Sequence, residues 1–358
     1  MDEIAPSRPA RPPRTRRTIR DVAQAAGVSI GTVSKALNNS GTLSAGTRAR
    51  ILEVAAEIGF RPNDLAQALH RGQSFTVGLI SNDSFGRFTL PIMEGLEGEL
   101  AARGIAIFMC NATDDPERER AHLEQLMRKQ VDGLVFTARR ADRRPAAATP
   151  LHDLPALYVF SRSDDPRSLC LLPDDEGGAR QATAHLVATG RRRIAHVTGP
   201  EHFEAVRQRR DGFRAGLRAA GLDPEAAPVL TGRWSEAWGR EAVATLFADP
   251  EAAPDGIFAG NDQIARGILD GLRDRGIAVP DAVGVIGFDN WEVMVEAARP
   301  PLTSIDMNLR ALGQEAGRQI VRLIDGEALH GVMRFPCTLV VRDSCGARAA
   351  RPTAKESA

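Results

Sequence analysis

Between Thr18 and Asn38 the chain spaces its apolar residues at helical intervals on both sides of one glycine, and that spacing limits what the segment can become. Ile19, Val22, Ala23 and Ala26 share one stripe of a first short helix, and Val33 and Leu37 share one face of a second. Gly27 supplies the tight turn between them, and Ser29 stands where a hydroxyl caps the second helix. A third helix is expected next, capped by Ser44, with Thr47, Ile51, Val54, Ala55 and Ile58 on one face and Gly59 at its end, where a left-handed backbone is tolerated. Three such helices close a small core. Ile30, Gly31, Thr32, Ser34, Lys35 and Asn38 then face outward, and this small, polar or cationic set suits a helix that enters a major groove and meets base edges and phosphates. The segment therefore reads as a helix-turn-helix.

Charge is distributed in the same sense. The whole chain of 358 residues balances 46 Lys and Arg against 46 Asp and Glu, yet residues 1–72 hold 11 of the former and 6 of the latter, so a basic head precedes an acidic body. Cations that neutralise phosphates release counterions, which is the sequence-independent part of nucleic-acid affinity. Residues 1–17 carry Arg8, Arg11, Arg14, Arg16 and Arg17 among four prolines and lack the apolar stretch of a secretion signal; a disordered basic arm is expected. No apolar run approaches the ~20 residues of a membrane span. Cys110, Cys170, Cys337 and Cys345 show no metal-type spacing and read as reduced thiols, so a cytoplasmic protein with neither metal nor cofactor and no membrane partner is expected.

From Phe75 onward short apolar runs alternate with longer amphipathic stretches, the pattern of a parallel sheet flanked by helices. Strands are expected at 77–80, 105–109, 133–136, 156–160, 194–198, 256–259 and 283–288. Helices are expected at 89–103, 117–129, 176–189, 204–220, 234–247, 261–275 and 309–325. Hydrophobic residues make up 43% of the chain, enough for a buried core, and so many units exceed one comfortable domain. Ligands of open parallel sheets sit beyond the carboxyl ends of the strands. The loops there hold Asn82 and Asp83, Ser161 and Arg162, Asp174 and Asp175, Asn261 and Asp262, and Asp289 and Asn290, while Phe88, Trp234 or Trp291 could stack on a ligand face. Each of these polar residues also has an ordinary reading as a helix cap, Asn261 above all.

The motifs together resemble the LacI family of lactose and galactose repressors. The matching pieces are D-V-A-x-x-A-G-V-S from Asp21, T-V-S-K-x-L-N from Thr32, G-F-R-P-N from Gly59, and L-A-x-x-L from Leu65. Within the body they are the runs Gly190–Gly199, Gly260–Gly267, Val283–Asp289 and Pro300–Ile305. The resemblance implies an all-α helix-turn-helix domain at 18–62, a hinge helix and linker at 63–74, and a core at 75–346. That core would be α/β, two doubly wound lobes like those of periplasmic sugar-binding proteins, with an N-lobe of about 75–162 and 307–335 and a C-lobe of about 163–306 and 336–346. Residues 347–358 are expected to be a disordered tail. It further implies a homodimeric repressor that binds a palindromic operator in double-stranded DNA, and a small sugar or sugar-like effector that controls it. Thr18, Ser29, Ile30, Gly31, Thr32, Ser34, Lys35 and Asn38 would face DNA, joined by Asn63, Ala66 and Leu69 of the hinge, with Leu69 matching a wedge that opens a base step. Asp83, Phe88, Arg162, Arg180, Trp234, Asn261 and Asp289 would contact the effector. The chain departs from the family pattern at Phe160-Ser161-Arg162, where relatives often carry an acidic residue, and in the arginine- and alanine-rich stretch Ala138–Pro150.

Three other readings compete. A purine is an alternative effector, because stacking and amide recognition suit it as well. An enzyme would need a phosphate-binding glycine loop, a nucleophile elbow or paired histidines, and the sequence offers none. A transported-sugar binding protein would need a signal peptide. After Arg342 a short tail of Ala, Arg and polar residues offers no heptad repeat, so a dimer rather than a tetramer is expected.

Overall fold

A computed structural model describes residues 17–38, 40–60, 73–83, 86–144, 151 and 154–346, in two compact units that divide after Ser74. In the first unit α1 (Ile19–Ala26), α2 (Ile30–Leu37) and α3 (Ala45–Glu57) form as their spacing predicts. Such short helices depend on their ends. Each has a hydroxyl that accepts a first-turn N–H: Thr18 from Asp21, Ser29 from Thr32, and Ser44 from Thr47. Gly27 turns the chain at φ 62°, a left-handed value that a β-carbon disfavours. Val22, Val33 and Ile51, one from each helix, meet with no exposure, and burial of each contributes roughly 1.5–3 kcal/mol. Leu37, expected in this core, packs only at its rim, and Ala36 takes the deeper place on α2.

The second unit holds two six-stranded sheets. In the first the order is β13 (Gly331–Phe335), β7 (Leu169–Pro173), β5 (Ala156–Val159), β3 (Gly133–Thr137), β1 (Thr76–Ser81) and β2 (Ala106–Asn111), every neighbour parallel. In the second it is β14 (Thr338–Val340), β12 (Thr303–Asp306), β11 (Gly284–Asp289), β10 (Gly256–Ala259), β8 (Ile194–Thr198) and β9 (Val229–Thr231), parallel except for β12 against β14. A two-residue ladder, β4 (Arg143–Arg144) with β6 (Arg162–Ser163), lies apart from both. The seven expected strands are all present. Five more of three to five residues, β7, β9, β12, β13 and β14, were not among those expected.

The chain crosses between the sheets three times, from β7 into α6 (Asp175–Ala188), from β12 into α11 (Leu309–Ile324), and from β13 to β14. These crossings line up the carboxyl ends of the parallel strands of both lobes along one cleft, where α/β sheets place their ligands. Helices pack closely where glycine permits it. A β-carbon on Gly95 of α4 (Thr89–Ala101) would lie 1.9 Å from the Arg310 carbonyl oxygen of α11, and one on Gly212 of α7 (Glu204–Ala219) would lie 2.1 Å from that of Glu176 on α6. The remaining helices are α5 (Pro116–Arg128), α8 (Glu236–Leu246), α9 (Asp262–Asp274) and α10 (Glu292–Ala297). Among the described residues no helix is long and apolar enough to cross a membrane.

Candidate nucleic-acid face and ligand cleft

On the first unit, α2 presents Ile30, Gly31 and Lys35 to solvent, with Ile30 46% exposed. An exposed isoleucine on a short helix has no packing reason to be there. Thr32, Ser34 and Asn38 are half-buried beside them, and the Asn38 amide donates to Ser34 Oγ at 3.3 Å. Ser29 and Thr32 hold their hydroxyls 2.9 Å apart, so the cap is also a polar corner at the amino end of the helix. Thr18 is tied into a reciprocal cap with Asp21, whose carboxylate accepts the Thr18 backbone N–H and is held below its usual range by it. Arg50 of α3 donates to the Ala26 carbonyl at 2.9 Å, which fixes α3 against the end of α1. Asn63, Ala66 and Leu69 lie outside the described residues.

At the floor of the cleft in the second unit, charged groups meet almost without water. Arg209 sits on the buried face of α7 with Val206, Gly212, Phe213, Gly216 and Leu217, a cation on an apolar stripe. The close approach at Gly212 sets α6 against α7 and brings Arg209 Nε to 2.8 Å from Asp175 Oδ1. The same guanidinium donates to the Gly260 carbonyl, stands 3.7 Å from Asp289 and lies 3.6 Å above the Phe288 ring. Asp289 ends β11 with a left-handed φ of 102°, and its carboxylate pairs with Arg87 from the loop between β1 and α4. Arg87 therefore bridges the two lobes, packed over Trp291 at 4.3 Å and Phe88 at 4.8 Å. Beneath it Asp262 accepts from Ser304 Oγ at 2.6 Å and from the Trp291 N–H at 2.7 Å. Burial, helped by the neighbouring Asp289, pushes the Asp262 carboxyl up to about 8.

Toward the mouth the cleft opens into a space of about 420 Å³ lined by Arg140, Asp142, His202, Phe203, Glu204 and Arg207. A smaller space of about 120 Å³ shares Arg140 and Asp142 and adds Asn82, Asp114, Arg139 and Ser161. Glu204 is the hub. Its carboxylate lies 3.3 Å from Arg162 and 3.9 Å from Arg334, both of the first lobe, and 3.1 Å from Arg207 of its own helix. Burial alone would raise its pKa, but the hydrogen bond from Arg207 and the charge of Arg162 outweigh burial and hold it below the usual range. Its N–H donates to Asp142 Oδ1 at 2.7 Å, so a carboxylate of one lobe caps a helix of the other. Ser161 Oγ, Asn82 Oδ1 and Arg139 Nε are buried here without a hydrogen-bond partner among the described residues.

The residues expected to meet an effector divide into two groups. Phe88, Arg162 and Asp289 stand in the cleft, with Phe88 stacked on Phe160 at 4.8 Å. Asp83 and Asn261 are occupied as helix caps: Asp83, 3% exposed, accepts from the N–H groups of Phe88 and Thr89, and Asn261 accepts from that of Ile264 at 2.9 Å. Arg180 is exposed on α6 and lines neither space. Trp234 is half-buried against the second-lobe core over Gly199, its ring 6.3 Å from that of Phe203. Sequence reasoning passed over Arg87, Arg209 and Glu204. Only Arg209 left a trace, as the one charged residue on the apolar stripe of its helix.

Residues 18–63 match the family model of bacterial regulatory proteins of the lacI family, and residues 183–345 match that of periplasmic binding protein-like domains. The chain is 32% identical over 338 residues to the HTH-type transcriptional regulator DegA of Bacillus subtilis, a match that spans 90% of this chain and 96% of the relative. It is 31% identical over 304 residues to the ribose operon repressor of Escherichia coli, spanning 83% of this chain and 89% of the relative. The crystal structure of a Lac repressor dimer bound to operator and the anti-inducer ONPF is similar to it with a TM-score of 0.74 and 27% identity, over 93% of this chain and all of the other.

Proposed function

We infer, from the fact that this chain belongs to the lacI family of bacterial regulatory proteins, that it is a transcriptional repressor whose operator affinity is set by a small sugar-like effector in the cleft. The observation that carries the DNA-binding half is the exposed face of α2, where Ile30, Gly31 and Lys35 stand free on a helix whose other side is fully used by the three-helix core. In this reading Ser29 and Thr32 meet phosphates, and residues 18–62 form a head separate from an effector core at 75–346. The hinge residues Asn63, Ala66 and Leu69 join them in contacting DNA. One recognition helix spans too few base pairs for useful specificity, so two copies bind a palindrome as a homodimer. The edge strand β2 supports the pairing, because Phe108 and Met109 are 47% and 40% exposed there, an apolar strip that a second copy would cover.

Effector and operator are coupled if the effector favours one arrangement of the lobes. Arg87 to Asp289 and Arg162 to Glu204 span the cleft and are the contacts whose making or breaking would distinguish the arrangements. The test is selection of an operator from random DNA, followed by mobility-shift titration of the full chain. Lys35→Ala should cost about 1–3 kcal/mol on the selected site and relax preference at a base pair. Failure to select any sequence would overturn the DNA-binding reading, and equal weakening on all sequences would make Lys35 a phosphate contact.

A further inference from the structure

Arg139 and Arg140, at the start of the arginine-rich stretch that sets this chain apart, line the mouth of the cleft and have no place in the reading above. Five guanidinium groups surround it, Arg139, Arg140, Arg162, Arg207 and Arg334, against three carboxylates, Asp114, Asp142 and Glu204. Arg139 is paired with Asp114 at 2.9 Å. Arg162, Arg207 and Arg334 share the two oxygens of Glu204. Arg140 has no carboxylate among the described residues and stacks instead over Phe203, its carbon 4.8 Å from the ring centroid. Phe203 in turn precedes α7 without offering an oxygen, and Asp142 is the carboxylate spent on that helix end, where it accepts the Glu204 N–H. The floor does not change this balance, because Arg87 and Arg209 are matched there by Asp289 and Asp175. Beside this surplus of positive charge, Ser161 Oγ lines the smaller space fully buried and without a partner among the described residues, with Asn82 Oδ1 and Arg139 Nε likewise unmatched among them. Buried polar atoms left unpaired are costly, and hydroxyl groups of a ligand would satisfy all three.

We propose that the cleft takes an anionic sugar, one bearing a carboxylate or a phosphate, with Arg140 and Arg207 binding the charge and Ser161, Asn82 and Arg139 binding hydroxyls. This rests on the effector reading above and narrows it. A neutral sugar would leave the cation surplus unmatched, and a cationic ligand would add to it. A planar carboxylate or a phosphate offers the oxygens that a guanidinium fork engages in pairs.

Calorimetric titration of the full chain with a panel of neutral hexoses, uronates, aldonates, hexose phosphates and inorganic phosphate tests this. An anionic sugar should bind, and Arg140→Ala should weaken it about tenfold to a hundredfold, the loss expected for one charge-assisted contact. Arg140 is exposed, so its removal should spare the fold. Binding by uronates or aldonates alone identifies a carboxylate ligand, and binding by hexose phosphates alone identifies a phosphate ligand. If neutral hexoses bind as tightly as their anionic derivatives, or if Arg140→Ala leaves anion binding unchanged, the charge assignment is overturned while the sugar reading survives. If no sugar of either kind binds, or inorganic phosphate binds and sugars do not, both fall.

Discussion

Replacing Arg209 with methionine keeps most of the side-chain volume but strands Asp175, which is 1% exposed and whose only hydrogen-bonding partner among the described residues is that arginine. Breaking a buried pair from one side typically costs about 3–5 kcal/mol. The carboxylate's share of that cost has a ceiling, since Asp175 can escape by taking up a proton. From an ordinary value of about 3.9, protonation at pH 7 costs about 4 kcal/mol at 1.36 kcal/mol per pH unit. At pH 5 the same step costs only about 1.5 kcal/mol. Burial already pushes the Asp175 pKa up in the native protein, with Arg209 pulling against it. Without Arg209 the folded value rises further, so the folded state of the variant holds a proton that the unfolded state has released. Its stability is then greatest below about pH 4 and falls as pH rises toward the folded pKa. Urea unfolding followed by the fluorescence of the three tryptophans, run on native protein and Arg209→Met at pH 5 and pH 7, should give a smaller penalty at the lower pH, by at most about 2–3 kcal/mol because the native Asp175 pKa is itself raised. Adding Asp175→Asn to the variant should recover most of the loss at pH 7. A penalty equal at both pH values, with no rescue by the second substitution, refutes the account of Arg209 as the counterion of Asp175.

A second titration should be visible at Asp262, whose raised pKa makes native stability fall as pH rises from about 4 toward 8; Asp262→Asn should flatten that part of the unfolding-against-pH curve, and an unchanged slope would assign it elsewhere. Two glycines on α4 should respond oppositely to alanine. Gly95→Ala, with a β-carbon 1.9 Å from a backbone oxygen of α11, should lose about 1–3 kcal/mol or more, whereas Gly98→Ala meets nothing within 4 Å and should gain about 0.5–1 kcal/mol in the same urea titration. Sedimentation velocity at micromolar concentration should give a dimer, and a monomer would contradict the pairing of two copies on a palindrome.

Periodicity explains both what the sequence revealed and what it withheld. The three capped helices of the head and the alternation of strand and helix after Phe75 are local patterns in which each residue's role follows from neighbours a few positions away. Asp83 and Asn261 show where that logic becomes ambiguous, because a short side-chain oxygen after a strand serves a helix cap and a ligand equally well. Only the N–H groups of Thr89 and Ile264 within reach decide for the cap. Arg87 and Glu204 show where it fails. Their partners lie 202 residues away at Asp289 and 42 away at Arg162, and an ion pair across a cleft imposes no period on either partner. Arg209 falls between these cases. Its counterion is 34 residues away and equally without a period, but its own helix places it in register with Val206, Phe213 and Leu217, and a cation on an apolar stripe must find a buried counterion or unfold the helix from its neighbour. The misplaced charge was therefore legible although its partner was not. Asp175 was among the loop residues singled out, and the missing step was to match an unexplained buried cation with an unexplained carboxylate at the start of the preceding helix.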